Sequence, residues 1–261
     1  MAGCDGVNSK TQQNSKTQQS ERLLSPDEAE ALRAGGNHRR AYVGPPKQWD
    51  FMGATQFRLL TALGLRETDR VLDLGCGSLR AGRLLISYLR AARYFGIDPN
   101  AWLIEDAIDH EIGRDMIALK APRFDHNDRF DTSVFDECFD WIVAQSVFSH
   151  AGPELVLQAL KSCAETLRPG GLMLATFIHA DMNPAMPQEL PGWTYPECTS
   201  YRRDRIQTVI DMAGLAGRPL PWFHPRQTWY AIAQDPAGLP DPTHDRHLSG
   251  AVQRDERFAA S

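Results

Sequence analysis

Short apolar runs alternate with segments of helical periodicity along the middle of the chain, and this alternation constrains the fold most strongly. Strands are expected at residues 70–74, 94–97, 116–119, 141–144, 172–177, 219–223 and 228–233. Helices are expected at residues 53–62, 79–89, 101–112, 153–167 and 203–213. Because parallel strands are joined through helical crossovers, the pattern predicts an α/β fold, a doubly wound, mostly parallel seven-stranded sheet. Such a sheet binds ligands beyond the carboxyl ends of its strands.

The two ends of the chain lack this alternation. Residues 8–19 repeat NSKTQQ twice without an apolar residue that could bury against a core. Ser25 and the Pro-Asp-Glu after it predict a helix start, and Gly35-Gly36 predicts its end. The sequence therefore divides into a disordered tail at residues 1–22, an N-terminal helix and cover segment at 23–52, a main domain at 53–234 and a largely solvated C-terminal tail at 235–261.

Composition narrows the possible partners. No apolar run among the 261 residues approaches the roughly 18 needed to cross a bilayer, and the start lacks a signal-peptide pattern, so we expect a cytoplasmic protein. The five cysteines are widely spread and include no C-x-x-C pair, which argues against a disulfide framework and a zinc site. The formal net charge of −5 provides no overall attraction for nucleic acid. We therefore expect no membrane, nucleic-acid or metal partner, and the oligomeric state stays open.

The strongest chemical signal is VLDLGCGSLRAG at residues 71–82, where an apolar strand turns into a helix. Gly75 and Gly77 allow a tight turn and a close approach of the backbone to a ligand. Asp73 lies two residues before the first glycine, and Asp98 closes the next strand in YFGIDPN. An acid at that second position accepts hydrogen bonds from ribose hydroxyls in dinucleotide folds, so these motifs predict a ribose in the ligand.

With FDWIVAQSVFSH at residues 139–150 and LRPGG at 167–171, these motifs resemble the class I S-adenosylmethionine-dependent methyltransferases over roughly residues 40–234. The resemblance implies an antiparallel last strand and S-adenosylmethionine as the cofactor. It also implies the cofactor-binding residues, which are Asp73, Gly75, Cys76 and Gly77 at the methionine part, Asp98 and Pro99 at the ribose, Asp125 at the adenine amino group, and Gln145. The third glycine of the family loop is Leu79 here, which is expected to alter the packing under the loop without removing the binding amides.

Each of these residues has a structural alternative. In these alternatives, Asp73 caps the glycine turn and Asp98 caps the helix that follows it. Asp125 is then one of several solvated loop acids, and Gln145 has a structural role only.

A nicotinamide-dependent oxidoreductase shares the strand, the glycine turn and the distant acid. Its short-chain form needs a tyrosine four residues before a lysine, and none of the six tyrosines here has one. A catalytically inactive scaffold with the same fold is the third alternative, which the intact glycines and acids disfavour.

The methyl acceptor is expected to be a small molecule. Family members that methylate amino groups of nucleic-acid bases carry Asn or Asp and two prolines after the fourth strand, where this chain has AQSVFSH. That segment resembles the one in small-molecule and saccharide methyltransferases. We therefore expect transfer to a hydroxyl of a metabolite or saccharide, with an amine or carbon acceptor as the alternative.

Two connections are expected to wall the acceptor pocket. They are the proline-rich residues 179–201 and the N-terminal stretch 37–53, and the expected acceptor contacts are Tyr42, Trp193, Tyr195 and His224. Arg39 or Arg40 is available for an anionic acceptor. Alternatively, the aromatic side chains only anchor the loops and the arginines are solvated.

A general base is expected among the histidines near the carboxyl edge of the sheet. His150 lies just beyond the fourth strand, which neighbours the first strand in this architecture, and an imidazole takes up a proton near neutral pH. His179, beside Asp181, is the reserve candidate. The structural alternative is that His150 caps the following helix or bonds a nearby carbonyl.

Overall fold

Seven strands form one sheet in the computed structural model, which describes Glu28 and residues 31–252. The strands are β1 (Val71–Leu74), β2 (Tyr94–Ile97), β3 (Arg123–Asp125), β4 (Phe139–Ala144), β5 (Leu167–Phe177), β6 (Ala216–Leu220) and β7 (Thr228–Ala233). Their spatial order is β3-β2-β1-β4-β5-β7-β6, and only the pairs that include β7 are antiparallel. The predicted doubly wound, mostly parallel sheet with an antiparallel last strand is confirmed.

Helices connect the strands and cover the sheet. They are α1 (Arg39–Tyr42), α2 (Trp49–Ala62), α3 (Gly82–Tyr88), α4 (Ala101–Ala107), α5 (Arg114–Lys120), α6 (Pro153–Thr166) and α7 (Arg203–Met212). A π-helical turn, Ile108–Ile112, extends α4. The first residue of α6 is a proline, whose missing N–H needs no partner at that position.

The sheet is buried on both faces because the side chains of each strand alternate between two apolar clusters. Leu72 and Ile142 belong to one cluster, whereas Val71, Trp141 and Val143 belong to the other. Burial on both faces is typical of parallel sheets and gives strands their continuous apolar runs. The carboxyl edge of the sheet is therefore the place where the fold presents polar side chains to a ligand.

One predicted strand is wrong. Residues 116–119 lie within α5, and the strand that pairs with β2 is the three-residue β3 after it. A run of four apolar residues fits a helix as well as a strand, and here Leu119 is 69% exposed while Met116 and Ile117 pack against the core. The true edge strand, Arg-Phe-Asp, carries too little apolar signal to be found by pattern.

The chain beyond β7 differs from the predicted solvated tail as far as residue 250. Leu248 is buried, and Arg218 of β6 donates two hydrogen bonds to the carboxylate of Asp245. Phe223 N–H also donates to the carbonyl of Ser249. The residues after β7 therefore pack on the domain edge. The predicted tail at residues 1–22 and the predicted helix start at Ser25 lie outside the described residues.

Candidate functional site

The turn after β1 brings the backbone of the chain close to its neighbours. Gly75 and Gly77 have φ angles of 73° and 51°, in the left-handed region that favours glycine. A Cβ on Gly75 would collide with the side chain of Val147, and one on Gly77 would lie 2.7 Å from Val43. Both positions therefore require glycine, because neighbouring side chains pack directly against the backbone of the turn.

Leu79 occupies the third glycine position of the family loop and keeps the glycine-like conformation, with a φ of 53°. A left-handed conformation costs a non-glycine residue about 1–2 kcal/mol. The Leu79 side chain is fully buried in the cluster that also contains Leu85 and Tyr94, which offsets this strain. The packing under the loop therefore differs from the family pattern by one buried leucine. The backbone keeps the left-handed conformation that glycine adopts at this position.

Two buried carboxylates lie beside this turn. Asp73, which is 4% exposed, accepts a hydrogen bond of 2.8 Å from the Tyr94 hydroxyl, and burial raises its pKa to about 6. Asp98 accepts from the N–H of Gly77 at 2.9 Å and from the backbone and side chain of Asn100 at 2.9 and 3.1 Å. Burial also raises the pKa of Asp98, and these hydrogen bonds oppose that rise. Asp98 thus ties the glycine turn to the start of α4.

A cavity of about 640 Å³ opens at this edge of the sheet. Its strand-end half is lined by Asp73, Gly75, Gly77, Asp98, Pro99 and Gln145, which follow β1, β2 and β4. Its loop half is lined by His150, Ile178, Met186, Trp193, Cys198 and Arg226, which lie in the connections after β4, β5 and β6. Cys76 lines the cavity as well. Most of the residues expected to bind the cofactor therefore share one cavity with candidate acceptor residues.

Asp125 is the expected cofactor residue that the structure does not bring to the cavity. Its carboxylate accepts hydrogen bonds from the backbone N–H of Asn127 at 2.9 Å and from the Asn127 side chain at 2.7 Å. Asn127 and Asp128 line the cavity instead. The acid-rich segment at the end of β3 thus contributes Asn127 and Asp128 to the cavity, whereas the sequence suggested Asp125.

His150 lies in the loop half with one ring nitrogen engaged. Its Nδ1 is 2.7 Å from the carbonyl oxygen of Glu197. A carbonyl only accepts hydrogen bonds, so Nδ1 carries the proton in the neutral ring and Nε2 is the acceptor. Burial lowers the pKa of His150, the Glu197 carbonyl opposes this, and Arg226 lowers it further. The ring is therefore neutral near pH 7, with a basic nitrogen available.

The other two candidate histidines have different surroundings. His179 is 1% exposed, contacts the Tyr230 hydroxyl through Nε2 and Thr228 through Nδ1, and is not part of the cavity lining. Its neighbour Asp181 pairs with Arg203. His224 lines the cavity, but both of its ring nitrogens are engaged: Nδ1 accepts the backbone N–H groups of Arg226 and Gln227, and Nε2 lies 3.2 Å from the side-chain nitrogen of Gln145. Burial lowers its pKa to about 3. Of the three, His150 has the geometry of a base.

Aromatic residues join the N-terminal cover to the connection after β5. The Tyr42 and Tyr195 rings stack with centroids 4.9 Å apart, and the Tyr195 hydroxyl donates to the Tyr42 carbonyl. Tyr195 also meets the His150 ring edge-on at 5.2 Å. Trp193 lines the cavity and is 53% exposed. Tyr42 and Tyr195 thus close one side of the cavity, and Trp193 stands at its mouth.

Arg39 and Arg40 are neither solvated nor available to an acceptor, which corrects both readings of the sequence. The Nε atoms of both arginines lie 2.9 Å from the carboxylate of Glu111, in the π-helical turn after α4. These two ion pairs fasten α1 to the domain. The cationic side chains that do line the cavity are Arg80 and Arg226, which the sequence analysis did not single out. Arg80 is part of the glycine motif, but nothing in the sequence marks Arg226.

Comparison with known proteins agrees with this geometry. A family model described as a methyltransferase domain matches residues 72–173. The fold is similar to magnesium protoporphyrin IX methyltransferase from Synechocystis PCC 6803, with 13% identity over 72% of this chain and 86% of that chain and a TM-score of 0.52. It is also similar to the CcbJ methyltransferase from Streptomyces caelestis, with 14% identity over 73% and 96% of the two chains and a TM-score of 0.56.

Human N-acetylserotonin methyltransferase has 16% identity with this chain over 87% of this chain and 67% of its own, with a TM-score of 0.54. At such identities the structures show a shared fold. Within the residues that the structure describes, no helix combines the length and apolar character needed to cross a membrane. The matched family model shows a methyltransferase domain at residues 72–173, and the sheet order is that of the class I S-adenosylmethionine-dependent methyltransferase fold.

Proposed function

We propose that this enzyme transfers a methyl group to a hydroxyl of a small metabolite or saccharide, with His150 as the general base. The observation that carries this proposal is the state of His150, whose Nδ1 is held by the Glu197 carbonyl while Nε2 is left to accept a proton. The methyltransferase-domain match favours methyl transfer over the oxidoreductase and the inactive scaffold. Amine and carbon acceptors stay as the alternative.

The strand-end half has the features that the cofactor needs. Gly75 and Gly77 line the cavity without a side chain, and Asp98 provides carboxylate oxygens for a ribose. Gln48 also lines the cavity, and its Oε1 is buried without a hydrogen-bond partner in the described part of the chain. An unpaired buried acceptor is unfavourable, so Gln48 suits a donor such as the cofactor's ammonium group.

We assign the cofactor contacts as follows. Asp98 and Pro99 hold the ribose, and Asp73, Gly75, Cys76, Gly77 and Gln145 surround the methionine part. Asn127 and Asp128 take the place first assigned to Asp125 near the adenine, because they line the cavity and Asp125 is bonded to Asn127. When bound, the cofactor supplies an electrophilic methyl group on a sulfonium.

The protein's own contribution to the reaction is positioning and proton removal. Nε2 of His150 accepts the proton of the acceptor hydroxyl as its oxygen forms the new bond to the methyl carbon, and the C–S electron pair stays with sulfur. Positioning of the two reactants supplies much of the acceleration in such a displacement, and a well-placed base contributes about 10²- to 10⁴-fold.

Several features support a small acceptor. The loop half combines apolar side chains such as Ile178 and Met186 with an exposed indole, Trp193, against which a ring could pack. Two of the similar structures are named as methyltransferases of magnesium protoporphyrin IX and of N-acetylserotonin, both small molecules. A cytoplasmic location and the absence of a nucleic-acid partner stay predictions from the sequence.

The proposal is tested by supplying the enzyme with trideuteromethyl-labelled cofactor and a metabolite extract, then searching by mass spectrometry for labelled products. We expect a labelled small molecule whose fragmentation places the label on an oxygen atom, as in a methyl ether. Label found only in RNA, DNA or protein would contradict the small-molecule assignment. A labelled methylamine or C-methyl product would contradict the hydroxyl.

A further inference from the structure

Two guanidinium groups lie near the same point of the cavity, beside Gly44. Arg80 follows the glycine turn, whereas Arg226 lies in the connection between β6 and β7. An Arg80 Nη1 atom and an Arg226 Nη2 atom lie 3.9 and 4.0 Å from the position that a Cβ on Gly44 would occupy. The two nitrogens are therefore separated by no more than the sum of those distances. Like charges this close repel each other.

Among the described residues, no carboxylate is in direct contact with either guanidinium, although the charge of the buried Asp73 acts on Arg80. Arg80 donates to the Val43 carbonyl at 3.2 Å and to Gln145 Oε1 at 2.6 Å, both neutral acceptors. The Arg226 side chain makes no hydrogen bond or ion pair with any described residue. Arg39 and Arg40, by contrast, both pair with Glu111. The cavity therefore contains two cations whose hydrogen-bonding capacity is largely unused.

Three acidic side chains line the cavity, Asp73, Asp98 and Asp128, and they lie in or just beyond β1, β2 and β3. Asp73 accepts from Tyr94, and Asp98 accepts from Gly77 and Asn100. The loop half has no acidic side chain among its described lining residues. The positive field of Arg226 extends through this half, since it lowers the pKa of both His150 and His224. The surroundings thus favour a negatively charged ligand group between the two arginines.

We propose that Arg80 and Arg226 together form a carboxylate-binding site between the glycine turn and the β6–β7 connection. The planar fork of a guanidinium matches a carboxylate, and two such groups near one point can together donate to both of its oxygens. The carboxylate comes from the amino-acid end of the cofactor or from an acidic acceptor. This inference rests on the proposed function, because it places the ligand of that same site.

The first arm of the test compares two nucleosides by calorimetry. S-adenosylhomocysteine carries the amino-acid carboxylate, and 5′-methylthioadenosine lacks it. If the carboxylate is the cofactor's, Arg226→Gln weakens binding of S-adenosylhomocysteine by about 10- to 100-fold and leaves 5′-methylthioadenosine unchanged. Arg226→Lys retains the charge and gives an intermediate loss. Arg58→Gln removes an exposed arginine outside the cavity and changes neither affinity.

The second arm uses benzoate as a carboxylate probe on protein saturated with S-adenosylhomocysteine. If the acceptor supplies the carboxylate, Arg226→Gln leaves both nucleosides unchanged but abolishes benzoate binding detected by NMR in the wild type. Two results overturn the proposal. In one, Arg226→Gln weakens the binding of both nucleosides equally; in the other, it leaves the binding of both nucleosides and of benzoate unchanged. Failure of the wild-type enzyme to bind either nucleoside would instead overturn the cofactor assignment, so the two failures are distinguishable.

Discussion

The strand-end half of the cavity is made by the ends of buried strands, whereas the loop half is made by long connections. Asp73, Asp98 and Gln145 are all buried and sit one or a few residues from a strand. In the loop half, Trp193 and Arg226 are exposed and lie in the connections after β5 and β6. Residues fixed by the sheet suit a cofactor common to a family, and residues on connections suit an acceptor that differs among its members.

The loop half is nevertheless held in place by backbone hydrogen bonds. Thr194 N–H donates to the His150 carbonyl, and Thr199 N–H donates to the Ser149 carbonyl. The Tyr201 hydroxyl donates to the Ala151 carbonyl. These bonds fasten the connection after β5 to the end of β4, where His150 lies. The two halves therefore differ in the elements that form them, which are strand ends in one and long connections in the other. Both have a defined structure around the same cavity.

The largest expected effect separates chemistry from cofactor binding. We expect His150→Ala to lower turnover of the identified acceptor by about 10²- to 10⁴-fold, because the base is lost, with cofactor affinity nearly unchanged. Initial-rate kinetics and calorimetry measure the two quantities. His244→Ala, an exposed histidine outside the cavity, is the matched control and leaves turnover unchanged. A His150→Ala enzyme that keeps most of its turnover would show that transfer rests on positioning alone.

The next effect concerns the cover that closes the cavity. Glu111→Gln removes the carboxylate shared by Arg39 and Arg40, and we expect the free energy of unfolding to fall by about 2–4 kcal/mol. The two arginines hold the pKa of Glu111 below its usual range, so its contribution is present above about pH 4.5 and is lost as pH falls further.

Urea unfolding at pH 7 and at pH 4 measures this difference. Glu165→Gln, an exposed glutamate on α6, is the matched control and changes stability by less than about 0.5 kcal/mol. Equal stability of Glu111→Gln and the wild type at pH 7 would mean that α1 is fastened by packing alone.

A smaller effect is expected in the strand-end half, at the residue that replaces the third glycine. Leu79→Gly relieves about 1–2 kcal/mol of backbone strain but removes a fully buried side chain, which costs about 2–5 kcal/mol. We expect a net destabilisation of about 1–3 kcal/mol by chemical denaturation. A variant more stable than the wild type would show that Leu79 is retained for another reason.

The smallest expected effect is a shift in the pH profile. His150 acts while neutral and its pKa is lowered, so the acidic limb of the rate profile should lie below pH 6.5. Arg226→Gln removes a positive charge that lowers this pKa, and we expect the limb to move upward toward 6.5. A limb that stays at or above 6.5 in the wild type would contradict the assignment of this limb to His150.

Sequence pattern was sufficient for the parts of the molecule that depend on local signals. The buried strands β1, β2 and β7 follow from apolar runs, and the position of Asp98 just beyond β2 follows from the motif YFGIDPN. The helix α5 was assigned as a strand because four apolar residues do not define a period.

The rest depends on contacts between distant residues. Arg80 and Arg226 meet across the cavity, although 146 positions separate them in the sequence. Arg39 and Arg40 look solvated in the sequence, since Glu111 is supplied by another helix. His179 follows its strand as closely as His150 follows β4, and only the fold reveals that Tyr230 and Thr228 occupy its nitrogens.

The division of the cavity into a cofactor half and an acceptor half is tested most directly by titrating S-adenosylhomocysteine into Asp98→Ala and His150→Ala in a calorimeter. Loss of a charged hydrogen bond to the ribose should cost Asp98→Ala about 1.5–3 kcal/mol of binding free energy. His150→Ala should bind as the wild type does, and melting curves without ligand verify that both variants are folded. Unchanged affinity in folded Asp98→Ala, or an equal loss in both variants, would contradict this account.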